Sequence, residues 1–145
     1  MKNFIFVIIL SISYFCFSQK ADIACKSLRK GVFNIYEGDS IVGKVYRENN
    51  VQIEKYPNKN RLHYVRMTNN GCRYTLEKYF INENEPLDTL KLDVRYELVK
   101  NNFYKYHIST RGVNFTMEGF IKKISNSIPK EFKEKFKELS KLDQD

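Results

Sequence analysis

The side chains of this 145-residue chain that could do chemistry are two histidines, three cysteines, a close pair of glutamates and ten tyrosines. His63 and His107 fall on different predicted strands, and no His-x-Glu, His-x-x-x-His or cysteine cluster stands beside either. The ligand spacing that holds zinc is therefore missing, and no metal is expected. A Gly-x-Ser-x-Gly nucleophile turn is absent, and the six glycines are scattered singly at turns, so no phosphate-cradling loop forms. Glu83 and Glu85 lie on a long polar connection, where solvated charge is the ordinary state of a carboxylate. Lys105 and His107 share one strand face and could exchange protons if a pocket surrounded them. These residues point away from an enzyme, and no cofactor is implied. Tyr74, Tyr96, Tyr104 and Tyr106 lie mid-strand, and turned inward they would line a barrel with apolar bodies and polar tips. Such a lining suits an amphipathic small molecule or a sugar, although tyrosine is also a good strand residue that simply fills cores.

The elements that would position these residues are read from periodicity. Between Gly31 and Lys122 apolar residues alternate with polar ones, and turn residues interrupt the pattern every eight to twelve positions. Eight strands are predicted: Val32–Tyr36, Ile41–Arg47, Val51–Tyr56, Leu62–Met67, Cys72–Tyr79, Thr89–Leu98, Phe103–Ser109 and Val113–Lys122. Asparagine and glycine dominate the intervening turns because both tolerate the positive φ of tight hairpins. In the sixth strand Leu90, Leu92, Val94, Tyr96 and Leu98 fall on one face, against Lys91, Asp93, Arg95 and Glu97. The last strand sets Val113, Phe115 and Met117 against Asn114, Thr116 and Glu118. Strands two to four alternate poorly, since Leu62 and Tyr64 oppose the equally apolar Val65 and Met67. Either those strands are covered on both faces or their ends are misplaced.

The fold class is mainly β: an eight-stranded antiparallel up-and-down meander with a C-terminal amphipathic helix. It forms either a lipocalin-like barrel, which removes the edge strands, or a strongly curved sheet wrapped over the helix. The barrel is favoured because no strand is visibly protected as an edge. The helix follows Ser127-Ile128-Pro129, with Phe132, Phe136, Leu139 and Leu142 at helical spacing among lysines and glutamates. Its narrow stripe packs on the sheet or plugs an open end, or else meets a membrane surface or a partner.

The amino end reads as an address. Met1-Lys2-Asn3 is a short positive start, and Phe4 to Phe17 is an almost wholly apolar run, too short to span a bilayer comfortably and of signal-peptide length, with an uncleaved membrane anchor as the alternative. The expected division is a signal peptide over 1–19, a β domain over 20–124 and the lysine-rich helix over 125–145. The expected location is export, to the periplasm, cell surface or medium. Loss of the first 19 residues removes Lys2 and no acid, leaving 24 basic residues against 17 acidic ones, a net of about +7. One domain of about 125 residues can build a single core. Cys16 leaves with the signal, and pairing of Cys25 with Cys72 is the default in an oxidising compartment. Two separate buried thiols are the alternative.

Several of these residues together resemble a group of small exported flavobacterial proteins. They are Cys25, Gly31-Val32-Phe33, Gln52-Ile53-Glu54-Lys55-Tyr56, Asn70-Gly71-Cys72-Arg73-Tyr74-Thr75-Leu76, Asp88-Thr89-Leu90 and Glu118-Gly119. The resemblance spans about Cys25 to Lys122, departs from the group's pattern at Met67 and Gly71, and does not reach the tail. It implies an exported β fold and no particular reaction. It also draws notice to Asp39-Ser40-Ile41 and Asp88-Thr89-Leu90, which match the short Asp-Ser/Thr-apolar signal at which such bacteria attach O-linked sugars. Ser40 and Thr89 are thus candidate modification sites.

Two functional classes follow. One is a secreted, non-catalytic β domain that holds a small amphipathic ligand inside. The other is a cell-envelope interaction module that contacts a protein or anionic component through its basic surface and helix. The basic residues are spread along the chain, so nucleic acid is not expected. An internal cavity would favour the first class, and a solid core with an exposed helix stripe the second.

Overall fold

The computed structural model describes residues 25–57, 62–70, 72–78, 91–110 and 114–141. The expected signal segment 1–19, Glu83, Glu85, Thr89 and Leu142 lie outside them. Eight strands run in sequence: β1 Gly31–Glu37, β2 Ser40–Glu48, β3 Val51–Lys55, β4 Leu62–Asn70, β5 Arg73–Lys78, β6 Lys91–Lys100, β7 Phe103–Thr110 and β8 Thr116–Ser125. Each pairs antiparallel with the next, and β8 returns to β1 to close the barrel. The curved-sheet alternative is thereby set aside. Tight turns sit where the sequence placed them, with Gly38, Asn49, Asn50 and Asn102 all at positive φ.

The interior is built from alternate positions. Phe33, Val45, Val65, Met67, Tyr74, Leu76, Val94, Tyr96, Tyr104 and Ile121 pack there with Leu28, which is fully buried. Leu28 arrives from the segment before β1, a helical turn over 25–27 that plugs one end of the barrel. The Tyr74 hydroxyl donates to the Cys25 carbonyl at 3.3 Å, and Lys123 Nζ donates to the Ser27 carbonyl at 2.6 Å. Ser27 and Tyr104 share a hydroxyl–hydroxyl bond of 2.6 Å. A disulfide joins Cys25 to Cys72, just ahead of β5, and fixes the plug to the barrel. The reading of two separate thiols is excluded.

A second core lies outside the barrel. Helix α1, Lys130–Lys141, sets Phe132, Phe136 and Leu139 with Ile128 against Val32, Tyr46, Val51 and Ile53. Leu62 and Tyr64 pack at its margin. The Tyr46 and Phe132 rings are 4.3 Å apart, and Lys135 Nζ lies 5.2 Å above the Tyr64 ring. This explains the poor alternation of strands two to four, which are covered on both faces. The helix neither plugs an end nor leaves its apolar stripe exposed, and barrel and helix form one packed unit. The far half of the barrel differs: β6 turns Leu92, Val94 and Tyr96 inward and Lys91, Asp93, Arg95 and Glu97 outward. A charged outer face of this kind is unlike the apolar band of a lipid-facing strand. No helix among the described residues is long and apolar enough to cross a membrane. Two expectations need correction at strand ends, where the barrel interior has ended. Leu98 is 48 % exposed and Phe115 45 %, whereas Met117, 43 % exposed, keeps the inward register opposite Ile108.

Candidate functional site

Strand β3 inverts the usual logic of a barrel. Its apolar residues, Val51 and Ile53, face outward under the helix, so its polar residues, Gln52 and Glu54, must face the interior. Across the hairpin Gln52 is paired with Arg47 and Glu54 with Val45, which places a buried guanidinium beside a buried amide. Arg47 is 1 % exposed and Gln52 2 %. Arg47 Nε donates to Gln52 Oε1 at 2.7 Å, and the Gln52 amide nitrogen donates onward to Glu54 Oε1 at 2.5 Å. The other Glu54 oxygen accepts from the Tyr56 hydroxyl at 3.1 Å. The result is a ladder of one cation, one amide, one carboxylate and one phenol along the barrel wall.

Arg47 is held on every side. Its remaining nitrogens donate to the Leu28 carbonyl of the plug at 3.2 Å and to the Tyr96 hydroxyl at 2.5 Å. The rings of Phe33, Tyr74 and Tyr96 stand 5.1, 5.3 and 5.1 Å from its central carbon. Taking a guanidinium out of water is costly, and hydrogen bonds plus aromatic faces offset that cost.

Next to the ladder lies a cavity of about 720 Å³ that extends to Glu37 and Gly38, at the barrel end away from the plug. Ile35, Leu76, Val94, Ile108 and Ile121 form its apolar wall, and Gln52, Glu54, Tyr56, Tyr96 and Tyr106 its polar one. Gly119 matters here, because a Cβ at that position would come within 2.3 Å of the Tyr106 hydroxyl. The glycine lets the Tyr106 phenol lie flat against β8. Burial, then the charge and hydrogen bond of Glu54, push the Tyr56 phenol far above its ordinary value. Burial, followed by Tyr96, Glu37 and Glu54, also raises Tyr106. Both phenols therefore stay protonated donors across the physiological range. His63 is paired opposite Glu54, and its ring lies 5.9 Å from that of Tyr56.

All four tyrosines picked out from the sequence point into the barrel, and they divide into two pairs. Tyr96 and Tyr106 line the cavity. Tyr74 and Tyr104 sit beneath the plug, with their hydroxyls bonded to Cys25 and Ser27. Arg47, Gln52, Glu54 and Tyr56 were not named as site residues, although alternation of Gln52, Glu54 and Tyr56 with Val51 and Ile53 was a signal for those three. Lys105 and His107 lie on the outer register with Glu118. Lys105 Nζ is 2.7 Å and His107 Nδ1 2.6 Å from its carboxylate, and Glu97 stands 3.8 Å from His107 Nε2. The Lys105 hydrogen bond, helped by the charges of Lys105 and His107, holds Glu118 below the usual carboxylate range. The three form a partly exposed ion network, with Lys105 and Glu118 bordering the cavity and His107 in a second, open pocket with Glu118. Among the described residues no group of three or more His, Cys, Asp or Glu side chains could hold a metal ion. Ser40 is exposed at the start of β2, in reach of a modifying enzyme.

Comparison of the chain with protein-family models, with curated proteins and with solved structures found no match.

Proposed function

We propose that this protein is a non-catalytic binding module that holds one small amphipathic molecule inside its barrel. The observation that carries the reading is the cavity of about 720 Å³, with an apolar wall facing a hydrogen-bonded polar ladder. A ligand there would bury its apolar body against Ile108, Val94 and Ile121 while its polar group met the ladder. An eight-stranded barrel is just wide enough for its side chains to fill it or to hold one small ligand, and barrel mouths are recurrent binding sites. The envelope-module reading loses its main support, because Phe132, Phe136 and Leu139 are buried on the barrel wall. The proposed setting is an exported one, supported by the Cys25–Cys72 disulfide and by the signal-like pattern of residues 1–19.

Fluorescence titration with the apolar dye N-phenylnaphthylamine tests the reading. Saturable binding at one site per chain is expected, with loss of binding in Ile108→Trp, whose larger ring would occupy the cavity. Ile108 is partly buried and lines the cavity, so the larger ring would extend into that space. Absence of binding, or equal binding by a folded Ile108→Trp variant, would refute it.

A further inference from the structure

The charges around the cavity are not arranged for an acid. We propose that the amphiphile is cationic, an amine whose ammonium group is received by Glu54 among the tyrosine rings. This rests on the cavity-binding reading above and adds the chemistry of the head group.

The argument begins with what a ligand could reach. Arg47 borders the cavity but is 1 % exposed, donates to three partners and is surrounded by three rings. A carboxylate or phosphate could contact it only by displacing Gln52, Tyr96 or the plug. Lys105 also borders the cavity, yet it is paired with Glu118 at 2.7 Å. No cation is left presented to the interior by the described lining. Glu54 is different. Each of its oxygens accepts one hydrogen bond, whereas a carboxylate offers about four acceptor sites. It therefore keeps acceptor capacity, and it lines the cavity.

The surroundings favour positive charge further. Tyr56, Tyr96 and Tyr106 turn toward the same space, and aromatic faces attract ammonium groups. The Tyr106 hydroxyl has no hydrogen-bond partner among the described residues and can serve a second polar group on the ligand. Glu37, at the end of β1, adds a negative charge near enough to act on Tyr106. A chain with a net charge of +8 thus surrounds its cavity with carboxylates that outnumber the reachable cations. A basic surface would draw anions to the outside, and the interior would select against them.

The test uses three probes with one naphthalene ring and different head groups: naphthylmethylamine, naphthylmethanol and naphthoate. The chain contains no tryptophan, so naphthalene fluorescence is read without interference from that residue. Each probe also competes against N-phenylnaphthylamine. The amine should bind about tenfold tighter than the alcohol, the gain of a charge-assisted hydrogen bond over a neutral one, with naphthoate weakest. Glu54→Gln should bring the amine to the level of the alcohol, with both probes measured on the same variant. Glu54→Asp, which keeps the charge, should retain part of the preference. Naphthoate binding as tightly as the amine overturns the proposal on the wild-type protein alone, whether or not the variants fold. So does an amine preference that survives Glu54→Gln. In both cases displacement of the dye would leave the cavity reading standing. If neither dye nor any of the three probes binds, the cavity reading itself has failed.

Discussion

Replacing Arg47 by methionine removes the one charge on which the plug, the ladder and the aromatic cage converge. Methionine keeps most of the length and apolar volume, so the loss is electrostatic rather than a cavity. Three acceptors lose their donor: Gln52 Oε1, the Leu28 carbonyl and the Tyr96 hydroxyl. Glu54 loses the positive charge linked to it through Gln52. Hydrogen bonds to a charged group contribute about 1.5–3 kcal/mol each, but three from one guanidinium are not additive. Breaking a buried pair from one side costs about 3–5 kcal/mol, because the partner charge is left behind. Arg47→Met should therefore cost about 4 kcal/mol, a large share of the roughly 5–15 kcal/mol that holds a domain folded. In urea, with a slope of about 2 kcal/mol per molar, the midpoint should fall by about 2 M. The assay is urea unfolding followed by far-ultraviolet circular dichroism, repeated with Glu54→Gln alone and with both substitutions. Glu54→Gln should destabilise the wild-type protein, where it leaves Arg47 uncompensated. In the Arg47→Met background it should stabilise, where it neutralises an orphaned carboxylate. A cost below about 1 kcal/mol for Arg47→Met, or the same sign for Glu54→Gln in both backgrounds, would show that the ladder is not a coupled unit.

Four further outcomes are expected. Cys72→Ala opens a cross-link 47 residues apart in sequence and should cost about 4 kcal/mol by chain entropy; two-state unfolding at an unchanged midpoint would contradict it. Ending the chain at Ser125 strips the cover from Val32, Tyr46, Val51 and Ile53. Burial of Ile128, Phe132, Phe136 and Leu139 is worth roughly 1.5–3 kcal/mol each, so the shortened chain should unfold or aggregate instead of retaining its strand signal. Tyr56 and Tyr106 are raised above 10.0 in the folded state, so the stability they contribute is complete below pH 10.0 and is lost as pH rises beyond it. Phenolate absorbance from these two should grow only with unfolding, and Tyr56→Phe with Tyr106→Phe should flatten the alkaline loss. Finally, sugar attachment at Ser40 and Thr89 predicts a mature mass above that of the bare polypeptide in the native host, abolished by Ser40→Ala with Thr89→Ala; an unmodified mass rules out both.

Strand number, order and most boundaries were legible because side chains alternate across a strand and turns need particular residues. Asn49-Asn50 and Asn102 mark hairpins by a local property, tolerance of positive φ, that needs no knowledge of the rest of the chain. The α1 stripe at Phe132, Phe136 and Leu139 was legible for the same reason, as was the pairing of Cys25 with Cys72, the two cysteines outside the apolar amino-terminal run. None of these inferences depends on what lies across the molecule.

The site depended on exactly that kind of non-local information, and it was missed. Periodicity separates two faces of a strand but cannot name which is inside when both are covered. In β3 the apolar face, Val51 and Ile53, goes to the helix, and the polar face, Gln52 and Glu54, goes to the barrel interior, the reverse of the assignment for β6. That choice is made by where α1 docks, and α1 lies some 75 residues later in the chain. Likewise nothing local to Arg47 distinguishes it from a surface arginine until the hairpin sets Gln52 beside it and the plug lays Leu28 over it. Alone, the sequence determined a series of eight alternating strands, a helix and a default cross-link; closure into a barrel came from the structure. Only tertiary structure decided that a guanidinium and a carboxylate would share the interior, because the free energy of a buried charge is set by partners that the chain brings together by folding.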